Sequence, residues 1–315
     1  LNRIKELGEN WEAPNNYENI PHGDMPGDKV EINDSHTEKA KTLFPEVLRI
    51  LPAFIEKNEC GRAVIVVCGG SGVGKSENAS LLTYFFEQAG IGSYTLSGDN
   101  YPYRIPMYND AERLRVFQQS GLKKMIEDGV YTKENFEIIH ELQKAGDDAN
   151  ENHIEKYSFI KSYIEGGKAG LRSYLGTTNE IEFSELSRIT SEFKNGADSI
   201  WLKRMGRTEG ELWYEDVDFS DKNILIIEWT HGNSDNYTGA DIPILLNSTP
   251  QETLEHRRAR NRDGKTDSPF TMRVLELEQE MLRNQAHKAK IILSKSGELL
   301  SYDEYCKLME ESENK

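Results

Sequence analysis

Two apolar runs, Val64 to Cys68 and Ile224 to Ile227, are long enough for buried strands and far too short to cross a membrane. The first leads into a glycine-rich turn, "GGSGVGKS", and an amphipathic stretch that stops near Gly90. A second strand, "GSYTLSGDN", ends at Asp99, so this region reads as strand, turn, helix, strand. Upstream, Leu43, Val47, Leu48, Leu51, Phe54 and Ile55 recur at helical spacing behind a capping-box pattern of Ser35 and Glu38, with Pro45 and Pro52 expected to bend the helix. Between Tyr101 and about Asn195 the pattern is helical and charged, with helices predicted over 111–128, 132–145, 154–165 and 184–193. The alternation in "SIWLKRMGRTEGELWYEDVDF", with Gly206 and Gly210, predicts a hairpin. Strand signals return in "NILIIEWTHG" and "DIPILLN", followed by an arginine-rich helix from Thr249 and a last strand, "KIILSK". The expected architecture is α/β, a parallel sheet flanked by helices and interrupted by a mostly helical insertion.

This pattern divides the chain into a polar tail or linker (1–34), a first part of the core (35–100), an insertion with the hairpin (101–215), a second part of the core (216–300) and a C-terminal helix or tail (301–315). The polar opening is rich in Asn, Gly and Pro, the composition of a surface-draped or linking segment. With 315 residues, 37% of them hydrophobic, the chain can bury a large core. Its formal net charge of −16 opposes a phosphodiester backbone, so nucleic acid is not an expected partner, and no membrane association is expected either. Three scattered cysteines, Cys60, Cys68 and Cys306, form no CxxC pair and no disulfide framework, which suits a reducing cytoplasm. His and Cys make no metal-binding pattern, and there is no GxSxG turn.

The chemistry sits at the turn. Gly69, Gly74, Lys75 and Ser76 follow the order GxxxxGKS, in which glycines let successive backbone N–H groups converge on a phosphate chain while the next helix adds its positive end. Gly70, Ser71, Gly72, Val73, Gly74, Lys75, Ser76 and Glu77 are therefore the candidate nucleotide-binding residues, with Lys75 near the β and γ phosphates and the Ser76 hydroxyl on Mg2+. Asp99, just past the second strand, is placed to take a proton from an attacking hydroxyl, or else caps the turn before Pro102. Tyr101, Tyr103 and Arg104 beside it read as a substrate wall. Glu228 ends "NILIIE" where an acidic magnesium or water ligand is expected, or is a charge closing a strand at the solvent edge. In the loop after it, Trp229, His231 and Asn233 are candidates for the acceptor pocket, although a single His in a polar loop is often ordinary.

"TLEHRRARNRDG" sets Arg258 and Arg262 one helical turn apart, with Arg257 and Arg260 close by. They form a lid that neutralises charge on a transferred phosphoryl group, or a solvated basic face. Arg204 and Arg207 of the hairpin are further candidates for substrate contact. A guanine-binding NKxD is missing, and the one DxxG, Asp24 to Gly27, precedes the turn, where it cannot sense a γ-phosphate.

In this order, the Gly69–Ser76 turn, Asp99 with its aromatic neighbours, Glu228 and the arginine-bearing helix resemble small-molecule P-loop kinases of the uridine kinase and phosphoribulokinase type. The resemblance implies a P-loop NTPase-type sheet with the insertion as substrate cap, Asp99 as base, Glu228 near magnesium, and Arg258 and Arg262 on phosphates. More closely, "LSGDNYPYRIPMYNDAERLRVF" and "DSPFTMRVLELEQEML" resemble the kinase half of gut-bacterial bifunctional α-galactosidase/sucrose kinases. That implies transfer from ATP to a sugar hydroxyl, the glucose 6-position of sucrose, in a chain fused to or excised from a glycoside hydrolase, as its opening on Leu1 also suggests. A nucleoside or adenylylsulfate kinase stands as the nearest alternative, since neither turn nor Asp99 selects the acceptor. A regulatory nucleotide-binding module is the alternative from another class.

Overall fold

In the computed structural model the described residues are 2–28, 30–249, 252–253 and 268–313. They fall into two compact units. The first holds residues 1–101, 182–249 and 282–315, and the second holds 102–181 and 250–281.

The first unit is built on a six-stranded sheet of order β2-β5-β1-β6-β7-β8. Its strands are β1 (Ala63–Gly69), β2 (Ser93–Ser97), β5 (Ile224–Glu228), β6 (Ile242–Leu246), β7 (Ile291–Leu293) and β8 (Leu299–Leu300), where β3 and β4 are the strands of the separate hairpin described below. The first five run parallel and only β8 is antiparallel. Every residue of β1 and β5 is buried, as expected for central strands of a sheet covered on both faces. This agrees with the α/β, parallel-sheet reading of the sequence. Register decides the site: Glu228 pairs with Val67 of β1 on one side and Ser97 of β2 on the other. The last residue of β5 thus lies between the strand that enters the glycine turn and the strand that leads to Asp99.

One sheet face is covered by α2 (Asp34–Ile50) and α4 (Lys75–Gln88). Phe44 meets Phe85 and Phe86 edge to face there, with ring centroids 5.2 Å and 4.8 Å apart. Ahead of α2 stands α1 (Asn2–Asn10), and Trp11 just beyond it packs 5.1 Å from Phe44. The capping box of α2 is made by Asn33 and His36 instead of the expected Ser35 and Glu38. The Asn33 side chain takes the His36 N–H and the His36 ring takes the Asn33 N–H, leaving Ser35 inside the first turn. Pro52 opens the short α3 (Pro52–Ile55), a position where its missing N–H costs nothing.

On the other face, Arg62 is buried with its guanidinium donating to three carbonyls, those of Phe193, Ala197 and Phe219. Phe193 belongs to α8 (Phe183–Lys194). The hairpin formed by β3 (Ser199–Met205) and β4 (Leu212–Asp218) is antiparallel, as the alternation predicts, and belongs to this first unit.

The second unit is helical, with α5 (Pro106–Glu127), α6 (Lys133–Ala145), α7 (Ile160–Arg172) and most of α9 (Pro269–Gln285). Phe117, Met125, Ile139 and Tyr163 form its buried core. Glu180 is buried there and accepts from Arg113 and Asn109. The chain ends in α10 (Tyr302–Glu313), in the first unit.

Candidate active site

Lys75 is the first residue of α4, and Gly74 before it is left-handed at φ 96° and ψ 30°. A side chain there would be strained by that backbone and would also press on the His36 ring, 3.1 Å from the added carbon. The first α-helical bond runs from the Asn78 N–H to the Gly74 carbonyl. The N–H groups of Lys75, Ser76 and Glu77 therefore precede the helical ladder, at the positive end of the helix, where an anion is favoured. Ser71 forms the exposed tip of the turn, while Val73 and Glu77 have buried side chains, so only the backbones of the latter two can face a phosphate. The Lys75 ammonium donates to the Gly70 carbonyl at 3.0 Å, which holds it folded over its own turn.

Beside Lys75, Ser76 donates its hydroxyl to Glu228 Oε2 at 3.2 Å, and the other Glu228 oxygen accepts from the Ser97 hydroxyl. Glu228 is 3% exposed. Burial, then the nearby Asp99 charge, push its carboxyl up to about 8, against the weaker opposing pull of Lys75 and the Ser97 bond. A hydroxyl and a carboxylate in contact are hard oxygen donors. They suit Mg2+, which takes one or two protein oxygens and completes its shell with water and substrate phosphates. Among the described residues no cluster of three or more His, Cys, Asp or Glu could hold a metal. Ser76 and Glu228 are accordingly the candidate pair.

Asp99 is exposed, in the single turn Gly98–Asn100 that follows β2, and lies near enough to Glu228 to shift it. Gly98 rests on Trp229: an added carbon would come within 2.1 Å of its indole. Only glycine lets the turn sit this close.

Several expected substrate contacts have different positions. Tyr101 is fully buried and Trp229 is 1% exposed, packed against Phe183, His231 and Tyr237. Both lie beneath the loops they belong to, where neither presents an open face to an incoming molecule. The reason is size, since large aromatic rings next to a sheet edge bury more apolar area under the loop than over it. Arg204 likewise differs from the expected substrate contact. It is buried, and its guanidinium donates to Asp24, Glu215 and the Tyr94 hydroxyl. Desolvating a guanidinium is tolerated only with such a full set of acceptors. His231 is buried edge-on to Trp229, and the Asn233 carbonyl accepts from Lys288. Arg207 lies in the hairpin turn, its N–H bonded to Glu211. Tyr103 and Arg104 belong to the second unit, where Tyr103 is half exposed and Arg104 donates to the Tyr174 hydroxyl at 3.0 Å. The lid arginines Arg257, Arg258, Arg260 and Arg262 lie outside the described residues.

Sequence reasoning missed Ser97, Asn100 and Asp24. Ser97 is the last residue of β2, two positions before Asp99, and could have been found from its place at that strand end. For Asp24 the sequence carries only a DxxG without a nucleotide role.

No family model matches the chain. It is 39% identical over 260 residues to the bifunctional alpha-galactosidase/sucrose kinase AgaSK of Mediterraneibacter gnavus, a match covering 82% of this chain and 22% of that protein. The chain thus spans 22% of the length of the relative it matches. Among solved structures, a candidate fructose transport system kinase from Silicibacter sp. TM1040 aligns with a TM-score of 0.44 at 11% identity, covering 75% of this chain and 94% of that one. A candidate uridine kinase from Bacillus stearothermophilus aligns with a TM-score of 0.38 at 14% identity, covering 78% and 98%. Over most of its length, this chain is similar in sequence to a segment of that bifunctional protein.

Proposed function

We propose that this chain is a kinase that transfers the γ-phosphoryl group of ATP to a hydroxyl of a small sugar, with sucrose as acceptor at the glucose 6-position. One observation carries the reading: Ser76 and Glu228 touch beside Lys75, with Asp99 within electrostatic reach. The similarity to a protein named as a sucrose kinase supports the choice of acceptor. A fusion with, or excision from, a glycoside hydrolase is part of the same proposal, since that relative is bifunctional.

The chain's own residues supply the following. Backbone N–H groups at the start of α4 hold the phosphates, and the Lys75 ammonium exchanges the Gly70 carbonyl for the terminal ones. Glu228 gives up its proton and, with Ser76, would hold Mg2+, which when bound offsets charge on the β and γ phosphates. Asp99 orients the sugar hydroxyl and accepts its proton as the oxygen–phosphorus bond forms and the bond to the β-phosphate oxygen breaks, leaving ADP. Nothing in this scheme consumes a further reactant.

The test is a coupled ADP-release assay across sucrose, simple hexoses, nucleosides and adenylylsulfate, with NMR of the product. Sucrose should raise the rate well above the water background. Release stimulated by nucleosides alone would overturn the sugar reading, and slow release indifferent to every acceptor would point to a regulatory module.

A further inference from the structure

The segment preceding α2 sends one side chain into the active edge of the sheet. Gly23 lies against Thr95 of β2, an added carbon there being 3.5 Å from the Thr95 methyl, and the next residue, Asp24, has a side chain only 7% exposed. One of its oxygens accepts from the Ser97 backbone N–H at 2.7 Å and from the Asn100 side-chain amide at 3.1 Å. The other accepts from the Tyr94 hydroxyl at 3.1 Å and from Arg204 at 2.9 Å. Asn100 is held from its other side as well, its oxygen accepting the Met205 N–H at 3.0 Å.

We infer that Asp24 is a positioning residue for the catalytic turn: it grips both ends of Gly98–Asn100 and so fixes where Asp99 points. This rests on the reading of Asp99 as base. The turn is three residues long, and Asp24 bonds the residue before it and the last residue in it, so the placement of Asp99 has little remaining freedom. Hydrogen bonds to a carboxylate are roughly twice as strong as neutral ones, and this carboxylate is shielded from water that could replace it. Arg204 supplies the counter-charge that makes a buried carboxylate tolerable there, and is itself paired to Glu215. The segment does not stop at Asp24. A turn from Met25 to Asp28 follows. A purely structural tie between segment and sheet could have used any strand; this one is made at the two bonds that flank the proposed base.

The experiment uses the full chain with Asp24→Ala, Asp24→Asn and Asp99→Asn. Each is checked for folding by circular dichroism and for affinity by titration with a fluorescent, non-hydrolysable ATP analogue. Asp24→Ala should bind the analogue with an unchanged Kd, lose about 10- to 100-fold in kcat, the range expected for a reacting group displaced by about 1 Å, and show faster amide hydrogen exchange in a peptide covering Ser97 to Tyr101. Asp24→Asn retains the oxygen facing Ser97 and Asn100 but turns its amide N–H groups toward Arg204, and should restore part of the kcat and of the slow exchange relative to Asp24→Ala. If Asp24→Ala does not fold, Asn100→Ala removes one of the two bonds to the turn and takes the same readouts. A folded Asp24→Ala with wild-type kcat, or with wild-type exchange over Ser97 to Tyr101, would overturn the inference. Full turnover in Asp99→Asn would instead overturn the role of Asp99 as base, and the exchange data keep the two failures apart.

Discussion

Replacing Glu228 with glutamine should change how stability depends on pH. In the folded, ligand-free chain this carboxyl is held up to about 8 by burial and by the Asp99 charge, against an ordinary 4.5. Between those two values the folded state keeps a proton that the unfolded state has released. Stability from this group is therefore fully present below about 4.5 and is lost as pH rises toward 8. The loss across that window is on the order of several kcal/mol. Glu228→Gln has nothing to ionise, keeps the shape and still accepts a hydroxyl hydrogen bond through its amide oxygen. Urea unfolding of wild type and variant from pH 5 to 8.5, without nucleotide or magnesium, reads the effect as the difference between the two curves, because titrating groups that do not interact with Glu228 cancel. The variant should gain on wild type as pH rises and level off above 8. Magnesium with ATP should restore stability to wild type chiefly at the alkaline end, since a cation favours the carboxylate. Parallel curves would refute the reasoning: they would mean that Glu228 is charged in the fold across the whole range.

Three further outcomes follow from the geometry. Asp99→Asn should lower kcat by about 10² to 10⁴ while nucleotide affinity stays constant; steady-state kinetics with sucrose and an unchanged kcat would remove the base role. Gly98→Ala places a carbon 2.1 Å from the Trp229 indole and should cost about 1–3 kcal/mol in urea unfolding, together with a drop in kcat as the turn moves; a loss under about 0.5 kcal/mol, within the range of an ordinary surface substitution, would show that the contact yields freely. Arg62→Met removes the Arg62 bond to the Ala197 carbonyl and one of the bonds to each of the Phe193 and Phe219 carbonyls, which keep the backbone N–H groups of Gly196 and Lys222, and should destabilise by about 1–3 kcal/mol; differential scanning calorimetry showing no fall in Tm would contradict that.

Much of the sheet was legible because its signals are short-range. A glycine turn, a lysine and a hydroxyl within eight residues state their own backbone requirement, and the apolar runs of β1 and β5 declare burial on both faces. Glu228 and Asp99 could be picked out as strand-end acids for the same reason. What the sequence could not tell is which of the polar residues face inward. Arg204 reads as a substrate contact and is buried against Asp24, Tyr101 reads as part of a substrate wall and Trp229 as part of an acceptor pocket yet both are buried, and the cap of α2 moved from Ser35 to Asn33 because an N-cap is set by backbone geometry at the helix start.

By itself, then, the sequence determined the glycine-rich turn, the strands beside it and the order of the acids along the chain, since each depends on residues within one or two turns of each other. Only the tertiary structure decided that Ser76 meets Glu228 across 152 positions and that Asp24 meets Arg204 across 180. The physical reason is that a buried polar or charged group must find its partner wherever the packed chain brings one, and local spacing carries no record of that crossing.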